Sequence, residues 1–451
     1  MKTIKIKYIS ILMLLSLFVT SCDVQEYDNL NDPNLDDIES NLNPANLQDL
    51  VGGILSGMRS RIGTYFDDVG IVGREHYRFT PDEPRYVNDL LGRDRTTLGG
   101  GEFYITAPWA ARYSTIKNTN ILISGIGQQA VFYTTEEINA AIGFAKTMQA
   151  YELLLNLNLT FQSGIRLDVA DPDNLGPFTD YTASLQGIRS LLESGAGDLV
   201  AGGSSFPFDL TSGFENFNTP SSFLTFNRAI SARVAAYQGD YTSVSTFLSE
   251  SFLDLMGDFN TGVYYVFSRT ANDLQNPMFL ALDAAGDIRV AHPSFLTDAL
   301  AGDTRQNKVV ARSSAASSAG LSGTHDFAVY SGPEAPIPVI RNEELILLYA
   351  EANHITNPTN AVNAINTIRA AAGLGAYTGG MMPADLVNEI LLQRRYSLYG
   401  EGHRWIDMRR FDRLGELPID RLGSPPTAED PDGVGADDVW PEFPLPLTEN
   451  Q

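Results

Sequence analysis

Apolar residues recur at helical spacing along most of the chain, and two long stretches interrupt the rhythm. Leu47, Leu50, Ile54, Met58 and Ile62 fall on one helical face. Helices are predicted over 109–123 and 136–158, the second opened by Thr134 and Thr135 as N-caps with Glu136 and Glu137 in its first turn. Further helices are predicted over 182–192 and 222–237, then after Gly239 and Asp240 to about Leu255. Toward the C-terminus Leu345, Leu348, Tyr349 and Ala352 share a face, and Asn357 and Pro358 form an N-cap and N1 pair. Ala361, Ile365, Ile368 and Ala372 line the next helix, which Gly373 is placed to end, and another runs over 383–399.

The interruptions, about 63–108 and 262–338, carry many Gly, Pro and aromatic residues and read as irregular insertions in one α-helical domain over 45–451. The second holds a β-like run, Val263-Tyr264-Tyr265-Val266-Phe267. The chain closes in a Pro- and Asp-rich tail with few structure-forming residues. Helix pairs joined by short turns, as at Tyr237-Gln238-Gly239-Asp240-Tyr241, resemble tetratricopeptide hairpins without a clean repeat period. The expected fold class is mainly α, a tetratricopeptide-like helical-hairpin scaffold with a large irregular, loop-rich region.

The N-terminus follows a different rule. Lys2, Lys5 and Lys7 precede an apolar run over 9–19 and then Thr20, Ser21 and Cys22, the order of a secretory signal. The run is too short to span a bilayer. Val19-Thr20-Ser21-Cys22 resembles a bacterial lipobox, so 1–21 is expected to be a signal peptide and Cys22, the one cysteine, the lipidated residue. Several acyl chains would then anchor it stably. Residues 22–44, rich in Asp, Asn and Pro, read as a tether that could reach about 70 Å at roughly 3.3 Å per residue.

Charge narrows the partners. The formal net charge is −24, and removing 1–21, with its three lysines and no acid, takes it to −27. So acidic a chain repels phosphate backbones, so nucleic acid is not an expected partner, and contact with the membrane is expected through the lipid alone.

Motifs for catalysis are scarce. The five histidines are scattered without a His-Glu-x-x-His pair, and neither a Gly-x-Ser-x-Gly elbow nor a phosphate-binding glycine loop occurs. No metal, cofactor or catalytic residue is assigned, and the chain is not expected to be an enzyme. The most specific stretch is Gly400-Glu401-Gly402-His403-Arg404-Trp405-Ile406-Asp407-Met408-Arg409-Arg410. Glu401, His403 and Asp407 could form an acid/base cluster. The favoured reading is a buried charge network with Arg404 and Arg410 that fixes a helix junction, with Trp405 turned inward.

That stretch, with Arg341-Asn342-Glu343-Glu344-Leu345 through Ala352 and Ile365-Asn366-Thr367-Ile368-Arg369 through Leu374, resembles the C-terminal signature of the SusD/RagB family. The Trp109 helix and the closing Phe443-Pro444-Leu445-Pro446-Leu447 are similar to the family's too. Gln393-Arg394-Arg395 departs from the common Glu-Arg-Arg, and the chain is compact for the family. The resemblance implies a Bacteroidota outer-membrane lipoprotein at the cell surface that binds nutrients, commonly glycans, as the lid of a TonB-dependent SusC-like transporter. Asp23, Glu26 and Asp28 fit the acidic export signal of such lipoproteins. The alternative is a surface helical-repeat protein that binds peptides or another protein.

A glycan site needs aromatic platforms flanked by hydrogen-bonding side chains. The first insertion offers Tyr77, Phe79, Arg85, Tyr86 and Asn88, and the second Tyr264, Tyr265, Phe267, Asn272 and Asn276. In the family, ligand residues come from loops at about these places. Tyr77, Tyr86 and Tyr264 are expected to share one surface site, although large aromatics under long loops more often belong to the core.

Overall fold

Helix α1 (Pro44–Gly57) starts at Asn43, whose side chain accepts from the N–H groups of Ala45 and Asn46. The computed structural model describes residues 39–424 and 435–450, so Cys22 and the leader before it lie outside the described residues. Arg61, left-handed at φ 54°, breaks the apolar face that runs on to Ile62 and starts α2 (Ile62–Val72) as a separate helix. Strand β1 (His76–Phe79) follows.

Next come α3 (Phe103–Ile126) and α4 (Thr135–Thr160). Thr134 and Glu137 close α4 with a reciprocal capping box, the Thr134 N–H donating to Glu137 Oε2 at 2.8 Å. The chain continues through the short pair β2 (Ile165–Arg166) and β3 (Phe178–Thr179) to α5 (Tyr181–Val200), α6 (Pro220–Tyr237) and α7 (Tyr241–Glu250).

Helices α3 to α7 pack each against the next, which is the hairpin stacking expected. Small residues permit the close approach of α4 to α5: a Cβ at Gly143 would lie 2.8 Å from the Gly195 carbonyl. The buried Asn227 amide of α6 donates to Thr147 Oγ1 of α4 (2.9 Å) and to the Leu192 carbonyl of α5 (3.1 Å), tying three helices at one point.

Beyond α7 lie β4 (Gly262–Tyr265), β5 (Ile288–Ala291), β6 (Val309–Ser318), β7 (Leu321–Phe327) and β8 (Ile337–Arg341). The antiparallel order is β1-β5-β7-β6, with β4 paired to β8 and β2 to β3. Helices α8 (Asn342–Asn353), α9 (Pro358–Ala371), α10 (Pro383–Ser397) and α11 (Arg404–Arg410) complete the fold. Asn357 and Pro358 start α9 as expected, and Gly373, at φ 75°, turns the chain away. Ile346, Ala350, Ile365, Ile368, Leu386 and Ile390 give α8, α9 and α10 a local core.

Both insertions are more regular than the sequence suggests. In α2, residues 65–72 are buried all round, so no polar face exists to reveal the helix. Strand β5 is buried at all four positions and lacks alternation, while the second half of β6 is built from Ser and Ala that read as loop. The C-terminal tail is also structural: Phe443 is fully buried, its N–H donating to the Leu159 carbonyl, and Trp440 Nε1 donates to Asp89 O.

Candidate functional site

The signature stretch folds around two glycines. Gly400 and Gly402, at φ 79° and 80°, adopt the left-handed conformation that other residues resist, and so separate α10 from α11. This turn brings Glu401 to Arg341 at the end of β8, with Arg341 Nη2 donating to Glu401 Oε1 at 2.7 Å and Nε to Oε2 at 3.1 Å. Arg341 also holds Glu343 and the Ser397 carbonyl. Below them Glu344 receives two hydrogen bonds from Arg233, at 2.7 and 2.6 Å, and His403 Nε2 stands 3.6 Å from Glu344. Asp407 accepts from Arg394 (2.6 Å) and Arg410 (3.0 Å), and Arg410 also clasps Glu351.

Electrostatics make this network structural. Burial alone would raise the Glu344 carboxyl, but Arg233 beside it brings it down to about 2. Burial pushes the His403 imidazole down to about 4 against the pull of Glu344. Near neutral pH His403 is therefore uncharged and Glu344 ionised and paired with Arg233. Trp405 is fully buried, and its indole N–H donates to the Trp440 carbonyl at 2.8 Å.

Above this layer opens a recess of about 390 Å³, with Arg341, Glu343 and Glu401 in its floor. Its wall depends on an irregular strand pair. Val263 pairs with Ile340 but Tyr264 pairs with Pro338, leaving Val339 as the extra residue of a bulge. Pro338 has no N–H to give the ladder, and the Val339 carbonyl is taken by Arg233 Nη2 at 2.8 Å. Half-buried Tyr264 stands on the open face of β4, between buried Val263 and Tyr265, and lines the recess, where its hydroxyl donates to Asn260 O at 2.5 Å. Tyr330 lies across from it and donates to the Gly400 carbonyl at 3.2 Å. Lys308, Arg305, Asn260 and Ser331 complete the polar lining. Burial lowers the Lys308 ammonium to about 8 while Glu401 opposes the shift, so it stays mostly charged at neutral pH. Tyr330 is buried, so the half-buried Tyr264 ring, with donors and acceptors around it, is the face that suits a polyhydroxylated ligand.

Of the residues expected to bind ligand, Tyr264 alone lines this recess. Tyr77, Phe79 and Tyr86 are buried: Tyr77 stacks on Phe79, and Arg78 lies over the Tyr86 ring. Tyr265 and Phe267 are also buried, with the Tyr265 hydroxyl against that of Tyr151 at 2.8 Å. The shared surface site of Tyr77, Tyr86 and Tyr264 is thus corrected, because the first two spend their rings on the core. Arg85 reaches the surface but is paired with Glu83 and Glu102, and Asn88 accepts from Arg93. Exposed Asn272 adopts a left-handed turn at φ 72°. Asn276 is a staple: its amide donates to the Ala335 carbonyl (2.7 Å) and accepts from the Met278 N–H (2.7 Å), fixing the loop that carries the rim residues Ala335 and Pro336. Tyr330 went unread because it stands in irregular sequence whose signal is the Ser331-Gly332-Pro333 turn beside it, and Lys308 because it ends a short polar run, Thr304-Arg305-Gln306-Asn307-Lys308, without periodicity.

Among the described residues no group of His, Cys, Asp and Glu is arranged to hold a metal ion, and no helix is long and apolar enough to cross a membrane.

Residues 298–438 match the sequence model of the SusD family. No curated protein sequence matches the chain. Among solved structures, a SusD superfamily protein from Bacteroides thetaiotaomicron VPI-5482 superposes with a TM-score of 0.65 at 15% identity, over 91% of this chain and 98% of that one. A SusD-like carbohydrate binding protein from Bacteroides vulgatus ATCC 8482 gives 0.62 at 13% identity, over 90% and 96%. B. fragilis NanU gives 0.60 at 14% identity, over 86% and 94%. The chain has the SusD-like helical fold, and the resemblance to the SusD/RagB family read from its C-terminal motifs holds.

Proposed function

We propose that this SusD-like chain is a non-catalytic nutrient-binding lipoprotein of the outer-membrane surface, that it captures glycans, and that it acts as the lid of a TonB-dependent SusC-like transporter. The observation that carries the binding role is the Tyr264 recess, where a half-buried tyrosine ring, an ammonium, an exposed Asn260 and a carboxylate floor meet in an open cavity of about 390 Å³. Support for a binder over an enzyme comes from the signature stretch, whose carboxylates Glu401 and Asp407 are committed to buried pairs with Arg341, Arg394 and Arg410. One solved relative in fold is called a SusD-like carbohydrate binding protein, which favours a glycan as the ligand class.

The lid role rests on the family resemblance and on Cys22 as the anchor. Co-purification from a native membrane with mild detergent tests it. A single large β-barrel partner is the expected result, and recovery of the chain alone goes against the lid.

The alternative, a surface protein binding peptides or another protein, draws on a separate groove of about 610 Å³ beside α5, α6 and α7. There Arg189 and Arg228 both lie over the Phe247 ring, at 5.3 and 5.5 Å. Parallel glycan and peptide arrays separate the two readings.

A further inference from the structure

A second recess, of about 260 Å³, shares no lining residue with the Tyr264 site. One wall is a face of α3, on which Tyr113, Lys117 and Asn120 follow one another at helical spacing. The other is the loop after β2, which contributes the apolar side chains of Val169, Pro172 and Leu175. Leu175 is 45% exposed, a large hydrophobic side chain left open to water at the edge of a cavity.

Almost every polar group around this recess is already engaged. The Tyr113 hydroxyl donates to the Arg166 carbonyl at 2.9 Å. Arg166 is paired with Glu449 at 3.1 Å and lies over the Phe178 ring. The Asn120 side chain accepts from Gln149 at 2.7 Å and donates to the Val169 carbonyl at 3.4 Å. Lys117 differs: it is exposed and, among the described residues, makes no hydrogen bond or ion pair.

Charge is also placed at the far end. Glu39 lines the recess and accepts from Ser124 Oγ at 2.7 Å. Ser124 is seven residues beyond Lys117 on the same helix, roughly 10 Å at about 1.5 Å per residue. A ligand whose anionic group sits on Lys117 therefore has its apolar body against Val169, Pro172 and Leu175, and meets a carboxylate if its other end is charged too. We infer that this recess is a second binding site, and that it takes a compact monocarboxylate with an apolar body rather than a dianion or a polyhydroxylated sugar.

The test is isothermal titration of octanoate into the whole chain carrying Cys22→Ser, so that neither lipid nor detergent competes. Saturable one-site binding is expected, at least tenfold weaker for octanamide, which lacks the charge, and for octanedioate, which brings a second carboxylate toward Glu39. Lys117→Gln, a surface change, should weaken octanoate at least tenfold, Ala170→Trp should fill the recess and abolish binding, and Tyr264→Ala should leave it unaltered. Absence of saturable binding, equal affinity for octanamide, or undiminished affinity in Lys117→Gln overturns the inference.

Discussion

Arg341 and Glu401 lie 60 residues apart in sequence and meet through hydrogen bonds of 2.7 and 3.1 Å beneath the Tyr264 recess, with both side chains buried. The pair joins the end of β8 to the glycine turn between α10 and α11. Removing one partner of a buried pair leaves an uncompensated charge, which costs about 3–5 kcal/mol. Arg341→Leu strands Glu343 as well and should lower unfolding stability by about that amount, read from urea denaturation. Glu401→Gln, which keeps an acceptor oxygen, should cost less. A change within about 0.5 kcal/mol for Arg341→Leu, the size of an ordinary surface substitution, contradicts the network's role.

Two buried groups should tilt stability in opposite directions below neutral pH. Glu75 is buried with the Gly400 N–H 3.4 Å from its carboxylate, and burial raises it from 4.5 to about 7 against the opposing pull of Arg404. A raised folded-state value means stability present below pH 4.5 and lost as pH rises through 7. Glu75→Gln should therefore be more stable than the parent at pH 8, by an amount on the order of 3 kcal/mol, and lose that advantage at pH 4. On the acid side His403, lowered from 6.5 to about 4, makes the folded chain lose stability as pH falls from 6.5 through 4, and His403→Asn should flatten that limb. Denaturation midpoints across pH 4 to 8 check both signs.

The C-terminal tail should behave as core. Phe443 packs edge-on against Trp405 and Tyr104, at centroid distances of 5.6 and 5.9 Å, and is fully buried. Phe443→Ala should cost about 3–5 kcal/mol through the cavity it leaves. It should also make the 435–450 segment an early site of limited proteolysis. Parent-like proteolysis and stability would show the tail to be dispensable.

The legible parts of the fold are those whose ends are marked in the sequence. Helix α9 showed its cap, its apolar stripe and its terminating Gly373 in the sequence, and α4 showed its threonine cap. Helix α2 stayed hidden because it starts at Arg61 with no side-chain cap to mark its end, and β6 because its pairing rests on backbone groups that Ser and Ala do not advertise. The same physics governs the site. Aromatic residues in an irregular stretch looked like platforms, yet Tyr77 and Tyr86 pack into the core, and Tyr264 reaches the recess because it stands on the open face of β4. No sequence pattern distinguishes these fates, because each is decided by a partner strand far away in the chain.

Cys22 carries the anchoring proposal and is tested apart from the fold. Palmitate labelling of cells should mark the parent chain and not Cys22→Ala, and the variant should leave the membrane fraction. Label retained by the variant removes the lipid anchor from the account.

The most direct test of the binding role is isothermal titration of the glycan class selected by array screening, into the parent chain and into Tyr264→Ala. The account predicts one-site binding by the parent and a loss of about tenfold or more in Tyr264→Ala, equivalent to about 1.4 kcal/mol, with the melting temperature held. Retention of parent affinity by Tyr264→Ala, or failure of the parent to hold any glycan, would contradict it.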